Sequence, residues 1–174
     1  MTAEQFADGA HGDQKYGKHF RYRYHLQWAV SVLRRFGFKN RDLIDAGWLH
    51  DTIEDTKVTY HDIWMRFGKG VADLVEAVTD RPGKNRRERH AATYPGIRQA
   101  GAAAVALKLA DRIANVEFSI ECEDGGKVKM YRKEYPDFVT YLHKAGEHDA
   151  MWDHLGGLLG FERPDGPDYG EDEP

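Results

Sequence analysis

Residues 48–56 read WLHDTIEDT, which crowds His50, Asp51, Glu54 and Asp55 against the end of an apolar helical stretch. Charge in such a place is costly unless it is paired or holds a metal. On a helix continuing past Asp51, His50 shares a face with Glu54, and Asp51 with Asp55, because residues four apart are neighbours. A second polar interruption falls in LKLADRIAN, where an otherwise apolar helix carries Asp111 and, four residues on, Asn115. His25 stands at the start of another amphipathic helix. Two histidines with two aspartates would form a mixed nitrogen and oxygen site for a divalent transition metal, which acidifies bound water and polarises a phosphoryl group. Glu54 and Asp55, one turn beyond, are placed to orient that water or to move its proton.

The elements that must position these groups are helical. YHLQWAVSVLRRFG sets Leu26, Ala29, Val30 and Leu33 on one side and stops at Gly37. A helix from about Asn40 carries Leu43, Ile44, Ala46, Gly47 and Leu49 into His50. TYHDIWMRFGKG opens on a capping-box pair, Thr59 and Asp62, and VADLVEAVTD repeats apolar residues at three-to-four spacing. RPGKN reads as a turn, RQAGAAAVALKLADRIANVEFSI as one central buried helix, and EDGGK as a loop before helices around 130–142 and 149–159. Trp28, Trp48 and Trp64 occupy core-like positions. Period-two alternation is scarce and no βαβ rhythm occurs, so the fold class is all-α. The expected organisation is a single helical-bundle domain over 1–161, followed by a disordered acidic tail over 162–174, ERPDGPDYGEDEP.

Composition narrows the function. A net charge of −4 argues against a general nucleic-acid binder, and no apolar run approaches the length of a membrane span. The single cysteine, Cys122, excludes an internal disulfide framework. The polar start MTAEQFADGAHGD lacks the layout of a secretory signal, so a cytoplasmic address is expected.

Taken together, LHDTIEDT, then FGKGVADLVEAVTD, then LKLADRIAN, with AHGDQKYG upstream, resemble the HD superfamily of metal-dependent phosphohydrolases. More closely, they resemble the hydrolase domain of RelA/SpoT enzymes and stand-alone small alarmone hydrolases of the metazoan SpoT homologue kind. The resemblance covers roughly residues 5–120 and implies a single HD-type bundle. It implies that His25, rather than His19, joins His50, Asp51 and Asp111 in holding one divalent metal, usually Mn2+. Glu54 and Asp55 would be the catalytic acidic pair, and Asn115 and Tyr135 would contact substrate. In this sequence the segment before His25 is slightly longer than the family's, and Leu26 stands where the family has proline. The implied reaction removes the 3′-pyrophosphate from ppGpp or pppGpp to give GDP or GTP and pyrophosphate. With no synthetase segment in the 174 residues, hydrolysis alone is expected.

The basic residues Lys84 and Arg86 of RPGKNRRERH, with Lys108 and Arg112, are candidate phosphate contacts; a solvated helix start explains the first pair equally well. The remaining histidines, His11 among them, lack comparable neighbours in sequence. The expected partner is a small phosphorylated nucleotide, with no nucleic acid or membrane and a homo-oligomer left open. The rival readings are a phosphatase on another nucleotide, such as NADPH or a nucleoside triphosphate, and a non-catalytic nucleotide-binding module.

Overall fold

The computed structural model describes residues 1–161; the segment 162–174, expected above as a disordered tail, lies outside the described residues. The helices are α1 (Ala3–His11), α2 (Arg23–Arg35), α3 (Arg41–Leu49), α4 (Thr52–Asp55), α5 (Tyr60–Phe67), α6 (Lys69–Val78), α7 (Arg86–Ala100), α8 (Ala102–Glu121), α9 (Gly125–Leu142) and α10 (Asp149–Leu159). Between α1 and α2 lie two short antiparallel strands, β1 (Lys15–Tyr16) and β2 (Phe20–Arg21). The all-α class holds. Strands of two residues are too short to leave a readable alternation, which is why the hairpin escapes the sequence pattern.

Helix α8 is the axis of the bundle. Val105, Ala106, Leu107, Leu109, Ala110, Ile113 and Ala114 are all buried, so it is apolar around its circumference rather than along one stripe. Helices α2, α3, α6, α7, α9 and α10 pack around it. Leu26, Ala29, Val30 and Leu33 of α2 form the buried face read from the sequence. Side-chain caps set several starts: Asn40 accepts from the Leu43 amide at 3.0 Å, and Thr59 and Asp62 form the expected capping box.

Three expectations need correction. The segment expected as one helix over RQAGAAAVALKLADRIANVEFSI is broken at Gly101, whose φ of +103° only glycine adopts without strain; residues 98–100 end α7 and α8 starts afresh. EDGGK is not a loop throughout, because Asp124 caps α9 by accepting from the Lys127 amide at 3.1 Å and draws both glycines into the first turn. Trp64 is 46% exposed and lies outside the core, whereas Trp48 is buried. Among the described residues, no helix is long and apolar enough to cross a membrane.

One close approach sets the spacing of α2 and α3, the helices that carry the two site histidines. A Cβ placed on Gly47 would lie 3.0 Å from Val30 Cγ2 and 3.1 Å from Leu33 Cδ1. Gly47→Val is therefore expected to cost about 2 kcal/mol by overpacking. Urea unfolding measures this; an unchanged midpoint would show that the α2–α3 contact yields freely.

Candidate metal centre

Why can two adjacent residues, His50 and Asp51, face the same point? In an unbroken α-helix, neighbouring side chains diverge by about 100°. Here the helix does not run on past Asp51, as the pairing of His50 with Glu54 required. Helix α3 ends at Leu49, Asp51 sits at φ −100°, ψ −3°, and α4 begins at Thr52. The break turns both side chains inward. Thr52 Oγ1 donates to the Leu49 carbonyl at 2.7 Å, satisfying a group the break frees. His50 Nδ1–H donates to the Gly47 carbonyl at 2.9 Å, which leaves the Nε2 lone pair directed at the site.

Around that lone pair, four donors from three parts of the fold converge. His25 Nε2 lies 3.2 Å from His50 Nε2. Asp51 Oδ2 lies 3.3 Å from the first and 3.2 Å from the second. Asp111 Oδ1 lies 3.3 and 3.6 Å from the same two atoms. Ligand atoms of His25, His50 and Asp111 all lie within 4.8 Å of one another, and Asp51 reaches both imidazoles beside them. A divalent transition ion with nitrogen and oxygen ligands at about 2.1 Å sets adjacent donors about 3.0–3.4 Å apart, which matches every distance above except the 3.6 Å between His50 and Asp111. Both imidazoles are almost fully enclosed, at 1% and 3% exposure. The donor set therefore fits a single divalent cation.

The electrostatics agree. Burial opposes charge on every member of the cluster, yet the attraction between opposite charges outweighs it. Burial pulls the two imidazoles down, but hydrogen bonds and charge from Asp51 and Asp111 raise them above the usual histidine range. Burial pushes Asp51 up, and His50 and His25 carry it well below the usual carboxylate range. Asp111 is likewise held well below: burial raises it, and Lys108 and the two histidines more than offset this. The pocket stabilises positive charge.

His50 has a carbonyl to fix its ring, but His25 does not: its Nδ1 is buried without a partner among the described residues. Aromatic packing holds it instead. The Tyr16 ring stacks on His25 at 4.7 Å, and Tyr22 meets it edge-on at 5.6 Å. Both tyrosines also reach the polar network. Tyr22 Oη donates to Asp51 Oδ2 at 2.7 Å, and Tyr16 Oη donates to Asn115 Oδ1 at 2.9 Å. Asn115 Nδ2 in turn donates to Asp111 Oδ1 at 2.6 Å. Sequence reasoning missed Tyr16 and Tyr22; three-residue spacing to His25 was a usable signal for Tyr22, whereas the hairpin places Tyr16.

Glu54 and Asp55 follow the centre on α4 without joining the four donors, and Glu54 lies close enough to Asp51 to sense its charge. Glu54 Oε2 accepts from the Asp80 amide at 3.3 Å. Partial burial, then the charges of Asp80 and Asp51, raise its carboxyl above the usual range. Asp55 Oδ2 accepts from Gln14 Nε2 at 2.9 Å. Lys108 Nζ lies 3.3 Å from Asp111 Oδ2; burial pulls the ammonium down, but Asp111 and Asp80 hold it above its ordinary value.

Other candidate contacts are committed elsewhere. Arg112, 4% exposed, donates to Glu134 and to Tyr94 Oη at 2.8 and 3.0 Å, with its guanidinium over the Tyr131 and Phe138 rings. Arg86 grips the same Glu134 carboxylate at 2.6 Å. Tyr135 packs against Phe161 at 4.7 Å, and a Cβ on Gly156 would lie 3.0 Å from its hydroxyl, so it faces α10. One turn earlier, Tyr131 lies close enough to Asp111 to feel its charge. Lys84 is exposed and has no ion pair among the described residues.

Comparison with known proteins agrees with the geometry. The guanosine-3′,5′-bis(diphosphate) 3′-pyrophosphohydrolase of Aquifex aeolicus is 32% identical over 149 residues, covering 84% of this chain and 21% of its own. The chain thus spans about a fifth of the length of the first curated relatives it matches. The protein of the same name with the label MESH1 from Danio rerio is 30% identical, covering 68% of this chain and 67% of its own. A solved structure of a metazoan ortholog of SpoT, described as hydrolysing ppGpp, superposes with a TM-score of 0.77 over 91% of this chain and 92% of its own, at 22% identity, and so shares the fold. The crystal structure of lmo0812 from Listeria monocytogenes EGD-e gives 0.66 at 27% identity, over 84% of this chain and 96% of its own. The HD domain family matches residues 3–138, a stretch that contains every member of the four-donor cluster. With that match over most of its length, this chain belongs to the HD domain family.

Proposed function

We propose that this chain removes the 3′-pyrophosphate from ppGpp or pppGpp, releasing GDP or GTP and pyrophosphate. The observation that carries the reading is a pair of imidazoles 3.2 Å apart, each with one carboxylate oxygen of Asp51 and one of Asp111 at 3.2–3.6 Å, and two further acids following in sequence. The relatives from Aquifex aeolicus and Danio rerio, both named as guanosine-3′,5′-bis(diphosphate) 3′-pyrophosphohydrolases, support the substrate class. In this reading His25, His50, Asp51 and Asp111 hold one divalent ion, taken as Mn2+. When bound, such an ion supplies Lewis acidity and lowers the pKa of water. The chain's own groups do the rest. Asp55 accepts a proton from the attacking water through the carboxylate oxygen that Gln14 leaves free. Glu54, whose carboxyl keeps its proton to higher pH than usual, donates to the leaving oxygen. Lys108 and Lys84 offer positive charge to the phosphates. Asn115 serves substrate once Tyr16 releases it, and Arg86, Arg112 and Tyr135 would have to leave Glu134 or α10 to do so. A cytoplasmic setting suits a chain with the single cysteine Cys122.

The test is a panel of ppGpp, NADPH and nucleoside triphosphates incubated with the protein and manganese. Pyrophosphate from ppGpp alone is expected. Orthophosphate from NADPH would replace the substrate, and binding without turnover would remove the enzyme. Chelation with EDTA is expected to take turnover to background and added manganese to restore it; undiminished turnover in metal-free buffer would contradict the role given to the cluster.

A further inference from the structure

Gln14 lies in the loop between α1 and β1, 41 residues from Asp55, yet its side chain reaches that carboxylate. Its backbone is pinned on both sides: the Gln14 amide donates to the His11 carbonyl at 3.0 Å, and its carbonyl accepts from the Tyr22 amide at 2.9 Å. Its side-chain amide is held at both ends as well. Nε2 donates to Asp55 Oδ2 at 2.9 Å, and Oε1 lies 2.8 Å from His11 Nδ1. Since a carboxylate only accepts, the amide must turn its nitrogen to Asp55 and its oxygen to His11, and His11 must carry its proton on Nδ1. The imidazole is buried and stacks on Tyr22 with ring centres 4.5 Å apart and planes 17° from parallel. Tyr22 donates to Asp51. One ring at the end of α1 thus touches two chains of contact, one to each end of the HDTIED segment. Asp55, His11 and Gln14 also line one open hollow of ≈ 600 Å³, while Asp55 Oδ1 has no partner among the described residues.

We propose that His11 and Gln14 are positioning residues for the hydrolytic reaction: the His11 imidazole locks the Gln14 amide, and the locked amide presents the free oxygen of Asp55 to the water it deprotonates. The role of Asp55 rests on the function proposed above; the hydrogen-bonded relay does not. Without the Nδ1 donor the amide can flip, setting oxygen against carboxylate and turning Asp55 away. Displacing a reacting group by about 1 Å can cost up to about 100-fold in rate.

The experiment has two arms on the full chain. In the first, kcat and KM for ppGpp are measured for His11→Phe, His11→Asn and Gln14→Leu. Phenylalanine keeps the stack on Tyr22 but removes the donor, whereas the asparagine amide nitrogen can take the place of Nδ1. His11→Phe and Gln14→Leu are expected to lower kcat by about tenfold or more with KM nearly unchanged, and His11→Asn to recover most of the loss. Equal losses for His11→Phe and His11→Asn, or an unchanged kcat in His11→Phe, would overturn the proposal. In the second arm, the Gln14 side-chain amide resonances are followed by NMR. They are expected to shift in both Asp55→Asn and His11→Phe; resonances unmoved by either change would overturn the relay. Should the wild-type chain release no pyrophosphate from ppGpp, the substrate assignment fails by itself and the second arm still decides the relay.

Discussion

His50→Ala is expected to remove manganese binding and turnover together. The imidazole supplies one of four converging donors, and its Nε2 orientation is set by the bond from Nδ1 to the Gly47 carbonyl. Loss of a group that merely orients a ligand already costs about 10–100-fold in metal affinity, so loss of the ligand itself is expected to exceed 100-fold. A bound cation contributes several kcal/mol to phosphoryl chemistry, and each 1.36 kcal/mol is tenfold in rate, so kcat/KM is expected to fall by at least about 1,000-fold. Calorimetric titration with manganese and the ppGpp assay measure the two losses. Thermal unfolding separates this from a stability defect: manganese should raise the midpoint of the wild-type chain by linkage and leave that of His50→Ala unmoved. If His50→Ala still binds manganese tightly, or shows the same manganese-induced stabilisation, the four groups are a charged core rather than a metal centre.

How much of this was legible in the residues follows from distance along the chain. His50, Asp51, Glu54 and Asp55 stand together in sequence, and their types announce a costly local charge. His25 could be singled out because an amphipathic helix follows it, and it is His25 that meets His50 in space. What could not be read is the break between α3 and α4: helical periodicity predicts continuity, and the inward turn of both His50 and Asp51 depends on a local departure from it. Gln14 was invisible for another reason, since nothing in AHGDQKYG indicates a partner 41 residues away. His11 looked isolated for the same cause. Arg112 shows the converse, a residue close in sequence but held apart in space. It follows Asp111 directly, but one step along an unbroken helix turns it about 100° away, toward Glu134. Tyr135 is likewise set apart by one turn, because α9 presents Tyr131 rather than Tyr135 to the charge of Asp111.

Glu54→Gln and Asp55→Asn are each expected to lower kcat by about 100- to 10,000-fold, the range that a positioned acid or base contributes, while leaving manganese affinity within a few-fold of the wild type. The two effects separate because these side chains stand outside the four-donor cluster: Glu54 turns to the Asp80 amide and Asp55 to Gln14. Both side chains reach solvent, Glu54 with part of its carboxyl covered, so an isosteric amide should leave the unfolding midpoint nearly unchanged. The amides keep size and hydrogen-bonding capacity but can neither give nor take the proton, which isolates proton transfer from packing. Glu54 carries the sharper expectation, since burial and the neighbouring Asp80 and Asp51 favour its protonated form, the form a leaving-group acid needs. If it acts so, Glu54→Gln should lose most on substrates with poor leaving groups and least on an activated aryl phosphate, whose leaving oxygen needs no proton. Equal losses on both would assign Glu54 to electrostatics instead, and full turnover in Asp55→Asn would place the water-activating base elsewhere in the site.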